Sequence, residues 1–170
     1  MSLHVRPAVR TDAPALLAYV TTLAREPDID ILLEPDEIQF GIAEEEEFLN
    51  GYAEADNSTF LVAETDGTIV GTLSLDGGRF RSVRHAVALG ISVARDHRNQ
   101  GIGDALMANA VGWAADTGFI KRIELIVAVR NARAIRLYLR HGFEFEGRKR
   151  AAVCRLGVNH DAYLMAKVLP

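Results

Sequence analysis

The 170-residue chain has one cysteine, Cys154. A single thiol can form neither an internal disulfide nor a cysteine metal cluster, and such usage fits a reducing cytoplasm. His4, His97, His141 and His160 show no metal-ligand spacing, so no metal is expected. No apolar run reaches transmembrane length, and Met1 to Pro7 lacks the apolar stretch of a signal peptide, so no membrane is expected as a partner. Basic charge is also short. Nineteen Lys and Arg face 23 Asp and Glu, a net charge of -4, which argues against nucleic acid as a partner. Gly-Lys followed by Ser or Thr is missing, which excludes the usual nucleoside-triphosphate loop. No Cys/His or Ser/His pattern for covalent catalysis is recognisable. What is present is ordinary for a soluble globular protein: 49% hydrophobic and 25% charged residues, in a length that suits one domain over 1–170.

Apolar periodicity gives the elements. Leu3 to Arg6 reads as a short strand ended by Pro7. Thr11 or Asp12 caps a helix with Pro14 in its first turn and Leu16, Leu17, Val20 and Leu23 on one face. Arg25 to Pro35 carries two prolines and predicts a loop suited to one wall of a cleft. A second helix is expected from Asp36 to Ala55, anchored by Ile38, Ile42 and Phe48-Leu49. Its Glu44-Glu45-Glu46-Glu47 run reads as a solvated face. Ser58 to Glu64 and Thr68 to Leu75 form a hairpin through Asp66-Gly67. After a basic loop, His85 to Val93 is the central strand, with Gly90 permissive for a bulge. A helix carrying Leu106, Ala110 and Trp113 stops at Gly118. Ile123 to Val129 is a strand. Asn131 caps a helix with Ala134, Ile135, Tyr138 and Leu139 on one face, ended by Gly142. Two last strands, Phe143 to Arg155 and Asp161 to Val168, turn at Gly157-Val158-Asn159-His160. The order implies an α/β (α+β) domain of about seven strands and four helices, antiparallel early and crossing over by helix late.

The organising stretch runs from Ile91 to Met107. It is a strand end, a basic turn with two glycines, and a helix start. Gly101 and Gly103 keep side chains away from the backbone. The first amides of a helix have no partner inside it and lie at the positive end of its dipole, which makes a phosphate site. Arg98 adds positive charge. The dinucleotide fingerprint needs a third glycine in an early βαβ unit, which is missing. Arg98-Asn99-Gln100-Gly101-Ile102-Gly103 instead fits (Arg/Gln)-x-x-Gly-x-(Gly/Ala) and resembles the acetyl-coenzyme-A pyrophosphate loop of the GNAT superfamily of N-acetyltransferases. Residues 127–143 resemble the family's later segment, Val-x-x-x-Asn-x-x-Ala-x-x-Leu-Tyr-x-x-x-Gly-Phe, with every fixed position filled. The element order is similar to the family's over nearly the whole chain.

The resemblance implies a sheet whose two central strands splay to admit coenzyme A. It assigns Ile91, Ser92 and Val93 to the pantetheine arm and Arg98, Asn99, Gln100, Gly101, Ile102, Gly103 and Asp104 to the pyrophosphate. Asn131 and Ala134 also contact the cofactor. Tyr138 becomes the general acid that protonates the departing thiolate. The expected reaction is acetyl transfer from acetyl-coenzyme A to a primary amine of a small molecule by direct attack, in a cytoplasmic enzyme that family habit makes a homodimer. The general base stays open among Glu124, His85, Glu26 and Glu34, or a water chain as in some members. Glu124 is preferred because a lone carboxylate in an apolar strand is costly unless paired or facing a cleft. Glu26, Glu34 and His85 are also the candidate substrate residues. Two rivals remain: a non-catalytic acyl-coenzyme-A sensor, and a protein or peptide N-acetyltransferase. Glu146-Gly147-Arg148, Asp161 to Met165 and His85-Ala86 resemble amino-acid or phosphinothricin-like members.

Overall fold

A computed structural model describes residues 2–27 and 29–170; Met1 and Asp28 lie outside the described residues. Seven strands make one mixed sheet in the order β1-β2-β3-β4-β5-β7-β6. They are β1 Leu3–Pro7, β2 Thr59–Thr65, β3 Thr68–Gly77, β4 Ala86–Val93, β5 Arg122–Ala128, β6 Glu144–Arg155 and β7 Val158–Val168. The α-helices are α1 Ala13–Ala24, α2 Ile42–Glu54, α3 Ile102–Asp116 and α4 Ala132–Arg140.

The sheet is packed on both faces. Leu61, Leu73, Leu75, Val87 and Leu89 lie against Leu106, Met107, Ala110 and Ala114 of α3. Val62 and Ile69 face the other way, against Ala13 and Leu16 of α1 and Leu49 of α2. Strands buried on both faces need no polar alternation, so β2 reads as a continuous apolar run.

The central pairing positions the site. β4 and β5 run parallel but pair only at Ala86↔Arg122, Val87↔Ile123 and Ala88↔Glu124. Beyond that point β4 stays with β3 as far as Gly71↔Val93, and β5 stays with β7 as far as Ala128↔Ala162. The two strands therefore part towards their C-terminal ends. Each end leads to a helix N-terminus, α3 after β4 and α4 after β5. Ligands of α/β sheets bind in such crevices.

Several expectations are corrected. The second helix starts at Ile42, not Asp36. Pro35–Glu37 is a 3-10 turn that stops at Ile38, and Gly41 begins α2 with its amide donating to the Glu44 carboxylate at 3.0 Å. Ile42 and Phe48 are exposed at 50% and 47%, so Leu49 is the anchor. Gly90 carries no bulge, because β3 and β4 keep one register throughout. A Cβ there would lie 3.1 Å from Ser74 Oγ, so the glycine serves close approach. Leu139 faces outward, and Leu137 packs inward in its place. The last hairpin turns at Leu156-Gly157, both at positive φ, so β7 begins already at Val158.

Asp12 precedes α1, but its carboxylate accepts from the Val9 amide at 2.8 Å and from Arg6 at 2.7 and 2.8 Å. Those hydrogen bonds, Arg6 first, hold Asp12 below the usual carboxylate range despite its burial. A lowered folded value stabilises the fold above the unfolded range near ~3.9, and that contribution is lost as pH falls through the folded value. Asp12→Asn is therefore expected to cost about 2 kcal/mol at pH 7. The gap to wild type should close below about pH 3, read by chemical denaturation at both pH values.

Candidate active site

The crevice between β4 and β5 opens into a cleft of 1110 Å³ that reaches from the α3 N-terminus to α2. That volume lies at the upper end of the range for ligand pockets. At one end lies the glycine loop. Asn99 and Gly101 have φ of +61° and +82°, and the first helical bond of α3 runs from Ala105 N to Gly101 O at 3.0 Å. Among the described residues, the amides of Asn99 through Asp104 donate to no protein acceptor. Six amides gathered at a helix start form an anion cradle. The two glycines serve different needs. Gly101 adopts the left-handed conformation, with nothing within 4 Å of a would-be Cβ. At Gly103 a Cβ would come within 3.1 Å of Leu137 Cδ2, so this glycine lets α3 approach α4.

Most of the expected cofactor residues line this end: Ile91, Ser92, Val93, Arg98, Asn99, Gly101, Gly103, Asp104, Asn131, Ala134 and Tyr138. Two do not. Ile102 is 2% exposed in the core, and the Gln100 side chain turns back to donate to Asp96 O at 2.9 Å. Arg98 is less free than its motif position suggests. Its Nε donates to Val93 O at 2.8 Å, and its guanidinium pairs with the Glu26 carboxylate. Burial alone would raise the Asp104 carboxyl, but Arg140 and His141 together hold it below the usual range.

Asn131 Oδ1 accepts from Ala134 N at 3.1 Å and caps α4. Seven residues on, two turns along the helix, Tyr138 reaches the same cleft. Tyr138 is 6% exposed and packs on Phe143 at 5.9 Å between ring centroids. Burial pushes its hydroxyl well above the ordinary tyrosine value. No other described residue hydrogen-bonds that hydroxyl.

Residues 18–143 match the model of the acetyltransferase (GNAT) family. The chain belongs to the GNAT family. It is 39% identical over 108 residues to the L-amino acid N-acetyltransferase AaaT of Escherichia coli (strain K12), a match covering 64% of this chain and 67% of that protein. The solved GNAT acetyltransferase from Streptococcus pneumoniae superposes with a TM-score of 0.94 at 33% identity, over 99% of this chain and 100% of that one. A ribosomal-protein-alanine N-acetyltransferase from Brucella melitensis superposes with a TM-score of 0.85 at 26% identity, over 98% and 99% of the two chains. This GNAT chain is therefore an acetyl-coenzyme-A-dependent acyltransferase.

The other end of the GNAT cleft differs from expectation. None of the four candidate acceptor or base residues lines it. Glu124 sits at the last paired position of β4 and β5, with its carboxylate 2.7 Å from Arg122 Nε, and Arg122 also binds Glu146 at 2.8 Å. The carboxylate is thus paired at the closed end of the splay. His85 is exposed in the loop before β4, where its carbonyl accepts from the Lys121 and Arg122 amides. Glu26 holds Arg98, and Glu34 accepts from the Leu156 amide at 2.8 Å.

The residues that do line this end come mainly from α1, α2 and β3, joined by Phe60 of β2, Ser92 of β4 and Arg155 of β6. Tyr19 Oη and Thr72 Oγ1 both lie 2.9 Å from Ser92 Oγ, and burial pushes the Tyr19 hydroxyl up to about 12. Ser74 Oγ donates to Asp76 at 2.9 Å, and Tyr52 donates to the same carboxylate. Thr72, Ser74 and Asp76 alternate on β3, a period-2 polar row in an apolar strand that the sequence displays. Phe48, Tyr52 and Phe60 stack edge-on at 5.1 to 5.7 Å. Arg155, 7% exposed, donates to the carbonyls of Ala24, Ile31 and Leu33 and pins the 25–35 loop across the cleft.

Proposed function

We propose that this chain transfers the acetyl group of acetyl-coenzyme A to a primary amine of a small molecule by direct attack, with Tyr138 as general acid. The observation that carries the reading is the Tyr138 hydroxyl. It is buried, protonated across the neutral range, free of protein partners, and in the same cleft as the anion cradle. The ring is buried but the unpartnered hydroxyl opens into the cleft, where a bound ligand can take its proton. The coenzyme brings the activated acyl group, and the chain positions it. The Asn99–Asp104 amides would hold the diphosphate. The unpaired edges of β4 beyond Ala88 would take the amide arm as an added strand. Tyr138 Oη gives its proton to the leaving sulfur. With Glu124 paired outside the cleft, the amine's proton leaves through water along Ser74 and Asp76.

The loop that Arg155 pins over the cleft favours a compact acceptor over a polypeptide. The test is thiol release from acetyl-coenzyme A with amine, amino-acid and peptide panels. Turnover restricted to peptides, or cofactor binding without turnover on any acceptor, refutes this reading. The cradle is tested at Gly101. An alanine there costs about 1 kcal/mol in the left-handed conformation and moves the amides. Gly101→Ala is expected to weaken coenzyme A binding about tenfold by calorimetry, with a Tm loss of a few degrees.

A further inference from the structure

The two ends of the cleft differ in their balance of charge. Arg98, Arg130, Arg133, Arg136 and Arg140 line the cofactor end. At the other end Arg155 is engaged by the carbonyls of Ala24, Ile31 and Leu33, and the α2 and β3 wall carries Glu44, Glu45 and Asp76 with no Lys or Arg among its described residues. Two of these carboxylates already have donors. Glu44 caps α2 through the Gly41 amide, and Asp76 accepts from Tyr52 and Ser74.

Glu45 is different. It is 8% exposed and lines the cleft, and no described residue hydrogen-bonds or ion-pairs with its carboxylate. Helical spacing explains the burial. Glu45 is four residues before Leu49, the anchor of α2, so it shares the inward face with Leu49 and not the solvated one. Burial pushes its carboxyl above the usual range. A carboxylate mostly buried in a cleft wall, open to the cleft and without a protein partner, is placed to take a cation from a ligand. Its α2 neighbours in the cleft are Phe48 and Tyr52, with Phe60 behind them, and aromatic faces also attract cations.

Resting on the reading of the chain as an amine acetyltransferase, we propose that the acceptor carries two cationic nitrogens joined by an apolar body. Glu45 holds the non-reacting cation beside the Phe48, Tyr52 and Phe60 rings. The other nitrogen, once neutral, lies towards Ser92 and Tyr138. Glu45 is a specificity residue and takes no proton from the reacting amine, because a nitrogen held as its ion-pair partner would not be nucleophilic. An acceptor with a carboxylate in place of the second cation is disfavoured, since it would face Glu45, and Arg155, the arginine at that end, is already engaged by the Ala24, Ile31 and Leu33 carbonyls.

Three matched amines test this by calorimetry, with and without saturating coenzyme A: 1,4-bis(aminomethyl)benzene, benzylamine and 4-(aminomethyl)benzoate. The bis-amine is expected to bind at least tenfold tighter than benzylamine, and the benzoate weakest. Glu45→Gln should remove the bis-amine's advantage and leave benzylamine within threefold. In turnover the loss falls on KM, with kcat within threefold. Folding is checked by Tm, which should match or exceed wild type, because the variant removes a buried charge. Equal binding of the three amines to wild type, or an equal loss for all three in Glu45→Gln, overturns the inference. Charge-selective binding without acetyl transfer refutes the catalytic reading and leaves this inference standing.

Discussion

Tyr138→Phe is expected to lower kcat for acetyl transfer by about 10²-fold or more, the range lost with a positioned acid. The KM for acetyl-coenzyme A should stay within about threefold. The substitution leaves the packing of the ring alone. The ring is 6% exposed against Phe143, and phenylalanine keeps that packing. The hydroxyl makes no hydrogen bond within the described protein, so none is lost and Tm should hold. Only the proton at Oη disappears. A drop in kcat with unchanged Tm and KM is the signature of an interaction made in the transition state alone. Unchanged turnover would mean that the thiolate leaves unaided, and Tyr138 would then be a core residue.

The pH dependence follows from the same burial. A tyrosine whose folded value is raised keeps its proton in the native state after the unfolded chain begins to lose its own. Stability is therefore fully present below the unfolded value near ~10 and lost as pH rises towards the folded one. Tyr138, Tyr19 and Tyr52 are all raised, chiefly by burial. Wild type should lose stability above about pH 10, and Tyr138→Phe should lose less. The alkaline limb of the rate below that pH does not belong to Tyr138.

What the sequence displayed was whatever local constraint dictates. Gly101 must take a left-handed turn, Asn131 must cap a helix, and the apolar strands must alternate with helices; all three are readable within a few residues. The end of the cleft proposed to hold the cofactor is built from two such contiguous segments, 91–104 and 131–138, so the residues that line it could be named from the sequence. The acceptor end is built from contacts between distant residues. Tyr19 meets Ser92 across 73 positions, and Arg155 reaches Ala24 across 131. No window contains them. Two signals were still present. One was the polar row Thr72, Ser74 and Asp76. The other was the four-residue spacing from Glu45 to Leu49, which sets one member of an acidic run apart from its neighbours. Glu124 misled for the converse reason. A carboxylate in an apolar strand needs a partner, and Arg122, two residues away on the same face, supplies it.

Arg98 and Glu26 give the largest expected effect on stability. Their side chains are 10% and 12% exposed and pair directly, while the Arg95 amide donates to the second Glu26 oxygen at 3.1 Å and Arg98 Nε holds Val93 O at 2.8 Å. The cluster ties the segment after α1 to the splayed end of β4. Removing one partner strands a buried charge, a loss of about 3 kcal/mol or more. Glu26→Gln should therefore lower Tm by about 6–12 °C in a domain of this size. The double variant Glu26→Gln/Arg98→Met leaves no buried charge and should recover much of that loss, so the two changes are strongly non-additive. The same pair decides what the motif arginine does. If Arg98 served the diphosphate as a free charge, releasing it from Glu26 would tighten coenzyme A binding. The geometry predicts the reverse. Arg98 holds the strand end that presents the amides, so Glu26→Gln should weaken binding, and the salt dependence of coenzyme A affinity should be the same in both proteins. Tighter binding in Glu26→Gln would reassign Arg98 from the scaffold to the ligand.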